Sequence, residues 1–584
     1  MPARRKQSFL HGALILTVAT VLVKVIGAVF KIPLTLVLGA EGSAHFYTAY
    51  DIFNPVAAIA IAGLPVAVSK LVSENAAHGR FRDVRRIRRL SLSLFTITGT
   101  LGFAVTFFFA RPFASLVGNP SGFVPILAIA PAVLFLCLMS SYRGYYEGLR
   151  NMYPTAVSQV VEAMAKLIMG YGLSLWVMKI GLDGFERTGS VFGVPAGSLA
   201  AAQTVVLPFA AAGGILGVTL STVFGFLYLL VRHLRHGDGI TKAELATSPS
   251  ARPKKALLGG LVRIAVPVCL GSLVVSLTAT IDLASVMNRL SAAVARDSQT
   301  MLTMYAGMIP ADMTLARLPA FLFGTYKGLP MTIFHLVPAI TTAFGISVLP
   351  AVSSAWARRD SAELKRNVES ALRVTALVAV PAGLGMTALA GPILSLLYNF
   401  SGNGLVGEVA ISTPILTLMG VSVIFVAIAS PINAILQAVG RADLPVKYML
   451  IGGALKLATN YVLVAIPSVN IMGAPVGTFL CYLFIAVASI ISVCKKTHTA
   501  LDLVSVFLKP LIAGAICAGA AYASYGLLTR VWDTRICTIL SIAVAGVVYL
   551  FTLFLVRGIS KDDLLMLPGG EKIAKVLESH GIIG

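Results

Sequence analysis

Lys24 and Lys31 stand in LVKVIGAVFKIPLTLVLG, a stretch with no other charge. Seven residues are nearly two turns of an α-helix, so both ammonium groups project from one face. A cation in hydrocarbon is costly, and such groups face a bundle interior or a wet cavity. Their chemistry is then anion capture, a lysine offering phosphate a point charge where arginine offers a fork. The plain alternative for Lys31, nearer the end of the run, is a long stem that carries its charge to the interface.

The other charges inside apolar runs are few. Asp51 begins the second run and Asp282 ends the seventh. Either carboxylate can pair with a cavity lysine, hold a coupling cation (Na+ or H+), or sit in interfacial water. Glu162 and Lys166 are spaced i, i+4, as are Arg143 and Glu147. Opposite charges at that spacing support a helix, and a neutralised pair lowers the cost of placing two ions in a bilayer. The first is a charge-pair or coupling candidate, the second a structural or gating pair. Lys327 at the outer start of the eighth run and Arg263, two turns into the seventh, can line cavity mouths. Arg263 can also reach anionic headgroups.

These residues hang on long apolar elements. Of 584 residues, 57% are hydrophobic and 12% charged, against about 25% charged in soluble domains. Runs of about 20 residues fit helices across roughly 30 Å of hydrocarbon. We read fourteen: 9–38, 46–72, 90–110, 122–142, 155–178, 206–231, 257–287, 329–352, 374–397, 411–436, 446–466, 471–493, 503–528 and 536–556. The first is expected to stay uncleaved, since no A-x-A site closes it. The net charge of +22 lies in short loops, which indicates topology and attraction to anionic membrane lipids rather than nucleic acid. Most Lys and Arg fall in alternate loops, placing both termini in the cytoplasm. The polybasic RFRDVRRIRR, Arg80 to Arg89, reads as one such inner loop on the lipid surface.

The chain repeats itself. GLPVAVSKLVSENAAHGRFRDVRRIRR pairs with VLPAVSSAWARRDSAELKR, Pro65 matching Pro350 (350 − 65 = 285). EGLRNMYPTAVSQVVEAMAKLIMGYGL pairs with QAVGRADLPVKYMLIGGALKLATNYVL, Lys166 matching Lys456 (456 − 166 = 290). Six spans per unit preserve orientation, so the halves are parallel repeats, an architecture of transporters. The expected domains are 1–235, an N-terminal six-helix lobe; 236–256, a cytoplasmic linker; 257–496, a second lobe; 497–557, two further helices; and 558–584, a cytoplasmic tail. The six cysteines form no CxxC, so no zinc site or disulfide framework is read, and metal binding is left unassigned. There is no Walker A and no HExxH. The loop Ser291–Tyr326 holds Asp297 and Asp312 without histidine. We assign no catalytic residues and no cofactor.

RGYYEGLRNMYPTAVSQVVEAMAKL, TIDLASVMNRL (Thr280 to Leu290) and YKGLPMTIFHLVPAITTAFGISVLPAVS (Tyr326 to Ser353) together resemble the multidrug/oligosaccharidyl-lipid/polysaccharide exporter superfamily, in its polysaccharide-export and stage V sporulation protein B-like branch. Within it the chain is similar to lipid II flippases. The resemblance implies an all-α membrane protein of two six-helix lobes in a V, a cationic cavity to which Lys24 would contribute, and a lipid groove on the last two helices. It implies a polyprenyl-pyrophosphate-saccharide substrate, lipid II first, moved from inner to outer leaflet in the bacterial cytoplasmic membrane; the oligomeric state is left open, with a monomer expected. Rival readings are export of a capsule, teichoic or spore-wall precursor, or cation-coupled drug export. A membrane glycan polymerase or ligase would need the catalytic groups the outer loop lacks.

Overall fold

The computed structural model describes residues 9–61, 63–399, 404–556 and 558. The basic N-terminal ARRK and, apart from Gly558, the expected cytoplasmic tail lie outside the described residues. The fold is that of an all-helical membrane protein. Among the described residues ten helices are long and apolar enough to cross a bilayer. One of them, Val18–Ala77, covers the first two expected spans. The expected spans 257–287, 329–352 and 446–466 are also helical but are not among the ten.

By contacts the chain forms two compact units: Met1–Asn288 with Arg317–Gly324, and Arg289–Ala316 with Thr325–Gly584. The sequence division at 236–256 marks repeat symmetry instead; by contacts, residues 257–288 go with the first unit.

The first unit contains α1 (Phe9–Ile61), α2 (Leu64–Ala77), α3 (Phe81–Phe108), α4 (Ala110–Leu116), α5 (Phe123–Gly148), α6 (Tyr153–Ala165), α7 (Tyr171–Thr188), α8 (Leu199–His236), α9 (Lys242–Thr247) and α10 (Lys254–Arg296) as far as Asn288. α1 breaks at Gly39, whose φ of 61° and ψ of −167° suit a residue without a β-carbon. The first two expected spans therefore join without a loop. Pro65, expected inside a span, lies in the first turn of α2, where its missing N–H leaves no helical bond unmade.

Small residues let these helices touch backbone to backbone. A β-carbon on Gly144 would stand 2.7 Å from the Pro65 carbonyl oxygen, fixing α5 on α2. One on Gly217 would stand 2.2 Å from Gly170 Cα, fixing α8 on the α6–α7 joint. At that joint Lys166–Gly170 winds as a π-helix. The continuous stretch Tyr153–Thr188 is 36 residues long, about 54 Å at 1.5 Å per residue and well beyond a bilayer's ~30 Å. Its far end meets a small antiparallel ribbon, Ser190–Val191 on Val194–Pro195, and Val191 is buried with Ala202 and Val206 of α8.

The second unit contains α11 (Ser298–Met304), α12 (Leu318–Gly328) from Thr325 on, α13 (Pro330–Phe334), α14 (Leu336–Arg358), α15 (Ser361–Ala388), α16 (Ala390–Tyr398), α17 (Val406–Ala438), α18 (Asp443–Leu463), α19 (Gly473–Thr497), α20 (Lys509–Leu528) and α21 (Thr534–Leu555). Element boundaries repeat as the sequence does. α3 and α15 each run 28 residues from starts 280 apart (361 − 81), and α6 and α18 start 290 apart (443 − 153). Val352, Val368, Ile432 and Ile435 lie in the core of this unit. α20 and α21 close on Leu389 through Cys517, Ala521 and Ala545.

Candidate functional site

In the first unit α1, α5, α6 and the π-turn that follows α6 bring together six charged and phenolic groups. The Lys31 ammonium lies 5.5 Å from the centroid of the Tyr47 ring. One turn on, the Tyr50 hydroxyl is hydrogen-bonded to Lys166 and lies within electrostatic reach of Lys31. On the far side of Lys166, Arg143 Nη2 donates to Glu162 Oε2 at 2.9 Å and Arg143 Nε donates to Ser158 Oγ at 2.9 Å. The order across the site is Lys31, Tyr47 and Tyr50, Lys166, Glu162, Arg143: three cations and one acid.

Local structure explains the aim of Lys166. A π-turn adds a residue to the helical repeat and rotates the helix beyond it, a device often found at functional sites. It starts at Lys166, and the glycines at its end and on α8 allow the widened backbone to pack. The GGILG pattern, Gly213 to Gly217, is this contact surface: a β-carbon on Gly213 would meet the Leu173 carbonyl at 2.8 Å.

Each residue singled out in the sequence has a place. Lys24 is exposed on α1 while Lys31 is half-buried, so one helix face does not give them one environment. Asp51 and Asp282 are 8% and 1% exposed. That burial does not suit a carboxylate standing in interfacial water. The Thr280 hydroxyl, two residues before Asp282, donates to the Asp51 carbonyl at 3.4 Å, so the segments carrying the two acids adjoin. Lys327 is buried in the second unit, and Arg263 is exposed on α10. Each i, i+4 pair stays within electrostatic reach, but the hydrogen bonds go elsewhere. Arg143 bonds across to Glu162 rather than along its own helix to Glu147, and Lys166 turns to Tyr50 rather than to Glu162. A cross-helix partner wins because the guanidinium finds two acceptors there in good geometry. Glu147 stays half-buried beside Thr155.

Sequence reasoning missed Tyr47 and Tyr50, counted among apolar residues although a phenol has a polar tip. Their i, i+3 spacing just before Asp51 was the available signal. It also missed Glu41, which Arg317 grips with both nitrogens at 2.8 and 2.6 Å.

The polybasic stretch does not lie open to lipid along its length. Arg82 Nε donates to the Leu245 carbonyl at 3.1 Å, Arg86 Nη1 to the Ala251 carbonyl at 3.2 Å, and Arg85 holds both Asp238 oxygens at 3.0 and 3.2 Å. In return Arg252 binds Asp83 through its backbone N–H at 2.7 Å and its Nε at 3.1 Å. These arginines strap the linker to α3. Burial raises the Asp238 carboxyl, but Arg85, the Ile240 N–H and Tyr145 together hold it below the usual carboxylate range.

The chain as a whole is similar to known proteins. A family model described as polysaccharide biosynthesis protein matches residues 9–356, and one described as lipid II flippase MurJ matches residues 327–543. The chain is 25% identical over 579 residues to stage V sporulation protein B of Bacillus subtilis (strain 168), covering 96% of this chain and 98% of that one. It is 24% identical over 490 residues to lipid II flippase MurJ of the same organism, covering 81% and 80%. Among solved structures it is similar to lipid II flippase MurJ in an inward closed conformation, with a TM-score of 0.65 at 14% identity over 93% of this chain and 98% of that one. It is also similar to an inward-facing multidrug resistance transporter of the multidrug/oligosaccharidyl-lipid/polysaccharide exporter superfamily, with a TM-score of 0.57 at 13% identity, covering 82% of this chain and 99% of that one.

Proposed function

The chain belongs to the polysaccharide biosynthesis protein family within the multidrug/oligosaccharidyl-lipid/polysaccharide exporter superfamily, a family of multi-pass transporters rather than enzymes, and on that premise we propose that it flips a polyprenyl-pyrophosphate-linked saccharide from the inner to the outer leaflet. The first candidate substrate is lipid II, the peptidoglycan precursor. The proposed architecture is fourteen spans, two parallel six-helix lobes and two further helices, with both termini in the cytoplasm and the protein acting as a monomer.

The observation that supports this reading is the Lys31–Tyr50–Lys166–Arg143 constellation. Arg143 is paired with Glu162, and Lys31 and Lys166 bring two ammonium groups to one phenol, that of Tyr50, within spanning helices. Such charge suits a pyrophosphate, which takes ammonium groups as point charges and phenol hydroxyls as hydrogen-bond donors. Lys24, Arg263 and Lys327 are proposed to extend the cationic path. Asp51 and Asp282 are candidate ligands of a coupling Na+ or H+, since a buried carboxylate gains from a cation. Transport proceeds by alternating access, the headgroup moving along the cations while the polyprenyl tail stays in lipid. Outward movement of an anion gains about 2.3 kcal/mol per charge per 100 mV, negative inside.

The second reading is another lipid-linked saccharide, such as a spore-wall precursor. It is favoured by the match to stage V sporulation protein B, which extends further along both chains than the match to the flippase MurJ. Leaflet exchange of labelled lipid II in proteoliposomes under an imposed potential tests the first. Exchange by the wild type that Lys24→Ala and Lys166→Ala each slow roughly tenfold supports it. No lipid II exchange by a folded preparation that flips another polyprenyl-pyrophosphate saccharide overturns lipid II in favour of the second. Unchanged exchange in both variants overturns the cationic path.

A further inference from the structure

Where α3 and α8 emerge beside the linker, the first unit gathers basic and aromatic side chains with too few acids to match them. Arg88 and Arg232 are half-buried. The Arg88 guanidinium stands 5.8 Å over the Tyr145 ring and that of Arg232 stands 5.3 Å over the Tyr146 ring. Arg88 is also hydrogen-bonded to the Tyr142 hydroxyl, and Arg232 to those of Tyr146 and Tyr228.

The hydrogen-bond order fixes the charges. A guanidinium only donates, so His233 Nε2, which Arg88 Nη1 meets, must accept. The proton is then on Nδ1, which donates to the Tyr146 hydroxyl at 3.0 Å, and that hydroxyl donates to the Gly237 carbonyl at 3.2 Å. His233 is therefore neutral. Asp238 is the nearby acid, and its oxygens are taken by Arg85 and by the Tyr145 hydroxyl at 3.1 Å. Among the described residues no carboxylate pairs with Arg88 or Arg232, and Arg88 Nε is buried without a hydrogen-bond partner. Two guanidiniums partly withdrawn from water, with ring faces and hydroxyls but no counter-ion, make a site for an anion.

Depth and surroundings identify the anion. From Leu90 to Phe108, and from Leu199 to Val231, neither helix carries a charge. Arg88 and Arg232 stand just outside those apolar lengths, at the level of lipid headgroups. Next to Arg232, α8 exposes Leu227, Val231 and Leu234 at 42%, 43% and 74%, with i, i+4, i+7 spacing that makes one apolar stripe. The geometry points to a bound anionic phospholipid: its phosphate between Arg88 and Arg232, an acyl chain along that stripe. Phosphate is the recognised chemistry, and the stripe favours a lipid over a free ion. The site is separate from the Lys31–Lys166 constellation and does not depend on the transported substrate.

The test is lipid retention by the full chain, delipidated in detergent and read by native mass spectrometry. Phosphatidylglycerol, phosphatidylcholine and inorganic phosphate are added in separate arms. The wild type is expected to retain one phosphatidylglycerol preferentially over phosphatidylcholine. Arg88→Gln/Arg232→Gln is expected to lose it by roughly tenfold or more, since each interfacial cation contributes separately. Arg89→Gln/Arg235→Gln removes the same charge from exposed positions and is expected to keep the lipid. Arg88→Lys/Arg232→Lys, which keeps charge and stem, is expected to restore part of the retention and guards against mere misfolding. Equal retention by the wild type and the first variant, or equal loss from the exposed pair, overturns the site. Displacement of the lipid by millimolar inorganic phosphate overturns the lipid assignment.

Discussion

The two repeats are built alike and charged differently. Offset by 290, Arg143 corresponds to Asn433, Glu162 to Gly452, Gly170 to Asn460 and Lys166 to Lys456. The first repeat keeps a bonded ion pair and winds Lys166 into a π-turn; the second keeps only the lysine, 4% exposed in the regular helix α18. The packing contact shows the same divergence. In the first repeat Gly217 meets the backbone of Gly170, while in the second a β-carbon on Gly477 would stand 2.3 Å from Asn460 Oδ1. A side chain fills in the second repeat what a backbone approach fills in the first. One scaffold therefore supports a polarised, cationic half and a half whose matching positions, Lys456 apart, are neutral or small. The charges differ while the order of the helices is kept.

Exchanging residues across the repeats tests this. The largest effect is expected from Gly170→Asn, which imports the second repeat's residue. Its side chain would run into Phe30 at 2.6 Å as well as the α8 backbone. The cost is expected to exceed about 3 kcal/mol, visible as a large fall in the thermal midpoint. Asn460→Gly is expected to cost less, since it opens space rather than closing it. Next comes Glu162→Gly alone, which leaves Arg143 without its carboxylate at about 3 kcal/mol. Adding Arg143→Asn is expected to recover most of that stability. A double variant no more stable than Glu162→Gly would show that the pair is not what the mutation broke.

On transport, Lys166→Met is expected to slow leaflet exchange roughly tenfold, the loss of one charged hydrogen bond. Lys456→Met is expected to change exchange by less than about twofold and to act on stability instead. Equal slowing by both would erase the functional contrast. The smallest effect concerns ion pairs outside the spans. Asp238→Asn is expected to cost about 1 kcal/mol after solvent screening, and Glu363→Gln, whose partner Arg358 is 58% exposed, under about 0.5 kcal/mol. The Asp238 carboxyl is held below its unfolded value of about 3.9. Its contribution is therefore complete above that pH and lost as pH falls through the lower folded value. Acid unfolding of the wild type and Asp238→Asn should converge there.

Helices, their order and the internal repeat were legible because hydropathy and small-residue patterns act over tens of residues. Lys31, Lys166, Glu162 and Arg143 were legible as unusual charges, but not as one constellation. Spacing along a helix reports neighbours on that helix, and Arg143 chose Glu162 on another. Tyr50 was hidden by being counted as apolar. The arginines of RFRDVRRIRR were visible as charge, yet their partners on the linker are more than 150 residues away in the chain. The backbone carbonyls they bind leave no trace in composition.

The strapped linker has a mechanical consequence. With Asp238, Leu245, Ala251 and Arg252 all tied to the first unit, this connection has little slack to give. The chain passes from one unit to the other at Asn288–Arg289, Ala316–Arg317 and Gly324–Thr325. The first of these peptide bonds lies inside α10 and the third inside α12. Torsional compliance is thus concentrated in fewer than forty residues, two of its three points within continuous helices. Of the three, only the Ala316–Arg317 bond lies outside a helix, so no helical hydrogen bond holds its torsions.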